Sequence, residues 1–530
     1  MILFLTPPFV QLNTPYPATA SLVGFLSARG YACTQRDLSI EVALEVLRTY
    51  GDEFVDEAIE ILQNPHLSAD AKVEMTSYMD ELALWIRDHV DADFGFSRYA
   101  ERLGVALPDF GPLLRRLRRR SPVDRMLEAR VETYLRELRP EVVGVTCPFP
   151  GTLLGAFRIA QTVRRVAPGV RLVLGGGYVN TELRSLDDAR VGRFFDAVMY
   201  DEGYAPWLEY LQSLQSPPPN PVPPPPVIPF FVKPSYAGLD LSLYMDLPES
   251  ENPIHRLWST GRWLKVQMAR GCYWHKCAFC DVTLDYIKCF EMPDAATLVD
   301  AMEALARETG QVSPRLPPPG FHFTDEAMPP ALLARMCREI LRRKFRCRWW
   351  GNVRFDTAFT PQLARLMARA GCIAVTGGLE CAVDRLLKLM NKGITLASAR
   401  AALTAFRDAG ILVHAYLMYG FPTQTAREAV AALGHVRRFF REDLVQSAFF
   451  HRFALTVHSP IAQRPEAFGI RVAPPPARTG RRPVFARNEI PFEEPGAPDW
   501  DRIGKGLRLA LYNYMRGAGY SKPLSFWFSP

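Results

Sequence analysis

The sequence contains no run of about eighteen apolar residues, which excludes a helix that crosses a bilayer. Its apolar opening, Met1 to Leu5, is short, has no basic flank and meets Pro7-Pro8, so it does not read as a secretory signal. No paired cysteine framework is present. Ten cysteines are scattered through 530 residues, a length that can bury several cores without disulfides, so a reducing, cytoplasmic setting is expected. Nor is there a Lys/Arg stripe interleaved with aromatics, and a formal charge of +7 is mild for the length, so nucleic acid is not an expected partner. The densest basic run, Leu113 to Arg120, reads as a solvated helix face. The rest of the composition, 48% apolar and 22% charged, is that of an ordinary globular chain.

What the sequence does have is one dense stretch, Arg270-Gly-Cys-Tyr-Trp-His-Lys-Cys-Ala-Phe-Cys-Asp281. It places Cys272, Cys277 and Cys280 in a short loop directly after the apolar run Trp263 to Met268. Three thiolates can hold a metal or cluster from one side and leave a position open for chemistry. A structural zinc site would need a fourth partner at ribbon or finger spacing, and none is evident.

Along the chain, Met1 to Thr6, Tyr31 to Asp37, Val142 to Cys147, Arg171 to Leu174 and Phe195 to Tyr200 read as strands. Helical runs at Ala18 to Arg29, Leu153 to Val166 and Ala205 to Leu214 separate them. This predicts an α/β fold beginning with a doubly wound parallel sheet over residues 1–215, with a helical insertion at about 42–139. Three glycines, Gly175, Gly176 and Gly177, end one strand. They serve either close approach of a ligand to backbone or tight turns alone.

Ser216 to Pro229 is proline-dominated and opens a linker and connector over 216–261. Strands at Trp263 to Met268, Gly320 to Thr324, Arg346 to Gly351, Ile373 to Gly377, Leu412 to Met418 and Gln446 to Phe450 then alternate with helical stretches. Over 262–452 this predicts a partial parallel (β/α)6 barrel, whose ligands sit at the carboxyl ends of its strands. Residues 453–530 form a C-terminal extension in which Ile503 to Arg516 reads as helix.

The loop Cys272-x4-Cys277-Ala278-Phe279-Cys280, preceded by Arg270-Gly271 and a first barrel strand, resembles the cluster loop of the radical S-adenosylmethionine enzymes. The resemblance covers roughly Lys265 to Phe450. It implies that the three thiolates hold three irons of a [4Fe–4S] cluster. The fourth iron would chelate S-adenosylmethionine, whose reductive cleavage gives a 5'-deoxyadenosyl radical. The family loop has three residues between its first two cysteines, whereas this one has four, Tyr273 to Lys276, with the extra residue expected in a bulge and His275 on the solvent side or, alternatively, an unusual ligand.

Strand-end residues Asp325, Arg354 and Glu380, with Phe279, stand where the family binds S-adenosylmethionine. Glu380 suits ribose hydroxyls and Asp325 a cationic amino group. Alternatively, Asp325 and Glu326 cap the next helix, Gly377-Gly378 are packing glycines, and Arg354 pairs with one of the carboxylates. Asn391-Lys392-Gly393 also sits where related sequences carry it.

The first domain, with Thr146-Cys147-Pro148, then Gly175-Gly176-Gly177, then Asp201-Glu202-Gly203-Tyr204, is similar to the cobalamin-binding domain of one branch of that family. The resemblance implies that Thr146, Gly175, Gly176, Gly177, Glu202 and Gly203 line cobalamin; the alternative is a domain that has lost its cofactor. No Asp-x-His-x-x-Gly motif occurs, and His66 and His89 fall in the insertion, so no histidine is expected on cobalt; Gln11-Leu12-Asn13 is a candidate to lie beneath it.

The implied activity is cobalamin-dependent methylation of an unactivated carbon in a natural-product, peptide or lipid substrate. An electron donor such as flavodoxin or ferredoxin would serve as partner. Tyr416 and His414, on the fifth barrel strand, are candidates for the substrate pocket or else core residues. The alternatives are a radical rearrangement, cyclisation or oxidation without methyl transfer, and a non-enzymatic cluster and cobalamin sensor.

Overall fold

The computed structural model describes residues 1–96, 99–104, 109–214, 231–247, 261–311, 317–472 and 484–528. The stretch Ser216–Pro229 expected as a spacer lies outside them. The chain forms two compact units, Met1–Leu247 with Arg478–Asn488, and Pro248–Ala477 with Glu489–Pro530.

The first unit is a parallel five-stranded sheet of β1 (Ile2–Thr6), β2 (Cys33–Asp37), β3 (Val142–Thr146), β4 (Arg171–Gly175) and β5 (Ala197–Val198), in the order β2-β1-β3-β4-β5. Every residue of β1 and β3 is buried, as continuous β-branched and apolar runs in a sheet covered on both faces should be. Gly144 in β3 leaves room for the rings of Phe4 and Trp207, which would stand 2.7 and 2.8 Å from a Cβ there. The strand order reverses between β1 and β3, and at such a switch point the crevice outside the strand ends is open to a ligand. The expected strand Phe195 to Tyr200 shortens to two paired residues because β5 is an edge with one neighbour.

The described part of the insertion is a series of helices joined by turns, and it starts earlier than expected. Asp37 accepts a bond from the Ser39 amide at 3.0 Å and so begins the helix Leu38–Tyr50 directly after β2. That helix packs on Pro122–Leu138 through Arg130–Glu45 at 2.8 Å and a Tyr134 hydroxyl donating to Glu41 at 2.6 Å. The basic run before it is not simply a solvated face. Arg116 is mostly buried and pairs with Asp93 at 2.6 Å and Asp124 at 2.7 Å. Asp124 also holds the fully buried Arg158, which donates to the carbonyls of Leu117 and Arg119.

Residues 231–247, expected as connector, are part of this unit. Tyr244 donates to Asp37 at 2.7 Å, and buried Lys72 pairs with Asp246 at 2.6 Å. A short return of the chain also belongs here. Phe485 is fully buried and stacks on Phe110 with ring centroids 4.6 Å apart, while the Asp187 amide donates to the Val484 carbonyl.

The second unit is built on β6 (Leu264–Val266), β7 (Gly320–Phe323), β8 (Arg348–Val353), β9 (Cys372–Glu380), β10 (Leu412–Tyr419) and β11 (Ser447–Arg452). They run in parallel in the order β11-β10-β9-β8-β7-β6. Helices between them, such as Pro330–Arg343 and Ala426–Arg441, cover one face. Alternation along the strands therefore buries Phe321, Phe323, Trp349, Val413, Leu417 and Phe450 against those helices. It turns His322, Trp350, Thr376, His414 and Tyr416 to the other face, where His322 stacks on Trp350 at 3.6 Å.

The C-terminal extension is not a tail. Phe453, Leu455, Ile461 and Ile470 pack with Ala278, Cys381, Met390 and Phe421 in one apolar cluster. Its helix runs Trp500–Met515.

Candidate active site: a three-thiol loop on the barrel rim

The loop after β6 is gripped from several sides. Gly271 has φ +72°, and a Cβ there would collide with the Cys289 carbonyl oxygen, so only glycine fits. The Cys272 amide donates to Ile287 at 3.2 Å. The four-residue interval before Cys277 closes on itself: His275 takes a left-handed φ of +38°, and its Nδ1 lies 2.9 Å from the Cys272 carbonyl oxygen. The extra residue is thus absorbed in a local turn.

Beside it, the Trp274 indole N–H donates to the Asn391 carbonyl at 2.8 Å, and the Asn391 amide donates to the Lys276 carbonyl at 2.9 Å. The indole lies over Gly393, at φ +72°, where any side chain would strike it. Ala278 donates to Met390 at 2.8 Å and accepts from Ile461 at 3.1 Å. Asn391-Lys392-Gly393 and the C-terminal extension therefore clasp the cysteine loop.

All three loop cysteines are free thiols and partly buried. Burial pushes the Cys280 thiol up, with Cys277 adding to the effect. Burial also raises Cys277, opposed by the positive charges of Lys392 and Arg354. Thiols in such a setting ionise when a metal takes them, and the two fixed cations favour the anionic assembly that results. Among the described residues no three His, Cys, Asp or Glu side chains converge on a single ion. A cluster with one thiolate per iron needs no such convergence, and the loop offers no fourth protein ligand. The donor set fits a cluster with one open iron.

Asp325 is held by the backbone of the loop's entry. It is fully buried, and its carboxylate accepts from the amides of Met268 at 2.9 Å and Ala269 at 2.6 Å. Burial raises its pKa to about 7 against those two bonds. Those two bonds fix the chain as it leaves β6 for the cysteine loop. Asp325 does not cap the next helix, whose first turn follows Pro329 without a side-chain cap.

Glu380, at the end of β9 with φ +51°, pairs with Lys392 at 2.7 Å. Burial opposes the Lys392 charge, but Glu380 and Cys277 outweigh it and hold its pKa above the ordinary value. The Lys392 ammonium also stands 5.6 Å from the centre of the Phe279 ring. Arg354 pairs with neither Asp325 nor Glu380. Its guanidinium lies 4.5 Å from the Trp274 ring centre and donates to the Lys392 carbonyl, and its buried Nε has no hydrogen-bond partner. That Nε lies 3.8 Å from the Asp356 carboxylate, an ion pair too long for a hydrogen bond, and its unbonded N–H fits a carboxylate-bearing ligand.

On the inner face, His414 is buried with Nδ1 2.7 Å from the Ser447 hydroxyl, so it belongs to the floor of the barrel. Tyr416, two residues on, is 40% exposed.

In the first unit the glycine-rich strand end is partly explained by the protein itself. Gly176, at φ +117°, passes so close to Cys147 that a Cβ would stand 2.6 Å from its backbone, and a Cβ at Gly177 would stand 3.0 Å from the Pro148 carbonyl oxygen. Gly175 has ordinary room around it. Gly203, at φ +75°, starts the helix Tyr204–Ser213 next to Glu202. Two buried polar atoms here have no partner, the Thr146 hydroxyl and the Asn180 side-chain oxygen, and Phe149 is half exposed beside Tyr16. Orphaned polar atoms at a switch point fit a bound polar ligand such as cobalamin.

The six-stranded parallel sheet carries a three-thiol loop directly after its first strand. Residues 266–436 match the family described as the Radical SAM superfamily. That superfamily uses S-adenosylmethionine and an iron–sulfur cluster.

An anaerobic magnesium-protoporphyrin IX monomethyl ester cyclase from Rubrivivax gelatinosus is 23% identical over 62% of this chain, and the match spans 60% of that protein's length. Among solved structures, the radical S-adenosylmethionine methyltransferase TsrM from Kitasatospora setae, with cobalamin and a [4Fe–4S] cluster bound, aligns with a TM-score of 0.57 at 16% identity. The alignment covers 96% of this chain and 90% of that one. The cobalamin-dependent radical enzyme OxsB with aqua-cobalamin aligns with a TM-score of 0.55 at 10% identity, over 96% of this chain and 66% of that one. The shared fold therefore extends beyond the barrel to both units. Among the described residues no helix is long and apolar enough to cross a membrane.

Sequence reasoning found the thiols and the Asn-Lys-Gly segment but missed why the latter matters. It also missed Trp274 and Ile461 as clasps. Their only signal was a tryptophan inside a cysteine loop and an apolar residue in an aperiodic tail.

Proposed function

We propose that this chain is a cobalamin-dependent radical S-adenosylmethionine methyltransferase that acts on an unactivated carbon. The observation that carries the reading is the pairing, in one chain, of a clasped three-thiol loop with a switch-point crevice bearing orphaned polar atoms. The TsrM and OxsB structures, similar over 96% of the chain and holding cobalamin, support it.

When bound, the cluster supplies the electron that cleaves S-adenosylmethionine, and cobalamin carries the methyl group. Cys272, Cys277 and Cys280 would hold the cluster, with Lys392 and Arg354 offsetting its charge. Glu380 and Arg354 would orient the sulfonium substrate by its hydroxyl and carboxylate groups, and Asp325 keeps the loop's entry fixed. Thr146 and Asn180 would meet polar groups of the corrin, while the bare backbone of Gly176-Gly177 leaves that end low. An electron donor of the flavodoxin or ferredoxin kind is required.

Anaerobic reconstitution with iron, sulfide and cobalamin, then reductant and S-adenosylmethionine, tests this. The reading expects both 5'-deoxyadenosine and S-adenosylhomocysteine. 5'-Deoxyadenosine alone would point to a rearrangement, cyclisation or oxidation, as in the cyclase relative, and neither product would point to a sensor.

A further inference from the structure

The inner face of the barrel carries a group of aromatic side chains that the cluster chemistry does not use. Tyr416 and Phe449 are paired neighbours in the β10–β11 register, and His451 follows two residues later on the same face of β11. Their rings touch in sequence: Phe449 and His451 have centroids 4.5 Å apart, and His451 and Tyr416 have centroids 6.4 Å apart. Residues alternating with them, Leu417 and Phe450, are buried against the helices, so the exposed rings belong to the barrel interior and not to an outer surface.

Tyr416 and Phe449 are 40% and 43% exposed, although core-facing aromatics of this size normally give up most of their surface. Below them the floor is polar, with His414 on Ser447. The shelf is uncharged at neutral pH: partial desolvation holds the His451 pKa below its ordinary value, with Glu380 opposing. Glu380 is paired with Leu417, the neighbour of Tyr416, in the β9–β10 register, so the shelf lies next to the site already described.

We propose that Tyr416, Phe449 and His451 form an aromatic shelf that takes the flat face of an uncharged, conjugated ring system on the substrate. An exposed, contiguous aromatic surface gains most from an offset or edge-to-face aromatic partner, and less from an aliphatic chain of equal area. Calling that partner the substrate rests on the methyltransferase reading; the ring preference itself does not.

Binding to the full chain with its cluster reconstituted tests the shelf without turnover. The probes are 2-naphthol and decahydro-2-naphthol, which share skeleton, hydroxyl and charge and differ in aromaticity, compared by calorimetry or saturation-transfer NMR. The naphthol should bind about tenfold more tightly than its saturated counterpart. Tyr416→Phe should keep that ratio. The double variant Tyr416→Leu with Phe449→Leu should reduce it to within about twofold, with S-adenosylhomocysteine affinity unchanged. If the double variant does not fold, as judged by its melting curve, Phe449→Leu alone should lower the ratio by about threefold. A wild-type chain without the preference, a preference that survives the leucines, or a parallel fall in S-adenosylhomocysteine affinity would each overturn the proposal, the last by making the shelf part of the nucleotide site. Loss of methyl transfer with the ring preference intact would instead count against the methyltransferase reading alone.

Discussion

The cysteine loop and the glycine-rich end of the first sheet both lie at the carboxyl ends of parallel strands, yet they are built in opposite ways. The loop is held by bonds: Trp274 on Asn391, Asn391 on Lys276, Ala278 between Met390 and Ile461, and Asp325 on two amides at its entry. The glycine end is shaped by absences, with no side chain at Gly176 and no partner for the Thr146 hydroxyl. A group bonded to the protein through mutually repelling thiolates needs its ligands fixed in advance. A cofactor bound across its surface needs room and unpaired polar atoms instead.

This contrast can be broken most sharply at the thiols. Replacing Cys272, Cys277 or Cys280 by Ala should abolish bound cluster and 5'-deoxyadenosine formation while leaving cobalamin content unchanged; iron analysis and product chromatography decide it. Substituting Val at Gly176 should do the reverse. A β-branched side chain at φ +117°, 2.6 Å from the Cys147 backbone, should weaken cobalamin binding on the order of tenfold, with cluster absorbance retained. Cobalamin content that does not move would mean the cradle is elsewhere.

A smaller effect is expected at the clasp. Gly393→Ala pushes a methyl group into the Trp274 indole and should cost about 1–2 kcal/mol in loop stability, seen as reduced iron per chain after reconstitution. Trp274→Ala in the same chain should restore part of it, since the collision is gone. Smallest of all is Asp325→Asn, which keeps an acceptor for one of the two amides. It should lower stability by about 1 kcal/mol and change S-adenosylmethionine affinity less than about threefold. A tenfold loss of affinity would return Asp325 to the ligand.

Much of the architecture was legible before the fold was seen, for physical reasons that also mark the limits. Leu153–Val166 and Pro330–Arg343 carry strong amphipathic periodicity, and the second begins at a proline, so their bounds follow from the sequence. The β-branched run Val142–Thr146 could only be a buried parallel strand. What escaped depends on contacts between distant residues. Asp325 and Glu380 look alike in the sequence, and only the placement of Met268 and Ala269 turns one inward and leaves the other on the rim. Arg116 sits in an exposed-looking basic run until Asp91, Asp93 and Asp124 gather around it. Phe485 lies in an aperiodic, arginine-rich stretch, with nothing local to say that it fills a pocket beside Phe110.

The most direct test is the low-temperature EPR spectrum of the anaerobically reconstituted, dithionite-reduced protein, recorded with and without S-adenosylmethionine. An open iron held by Cys272, Cys277 and Cys280 predicts a [4Fe–4S]1+ signal whose g values shift when S-adenosylmethionine is added. A signal that S-adenosylmethionine leaves unchanged, or one that persists when any of those three cysteines is replaced by Ala, would contradict it.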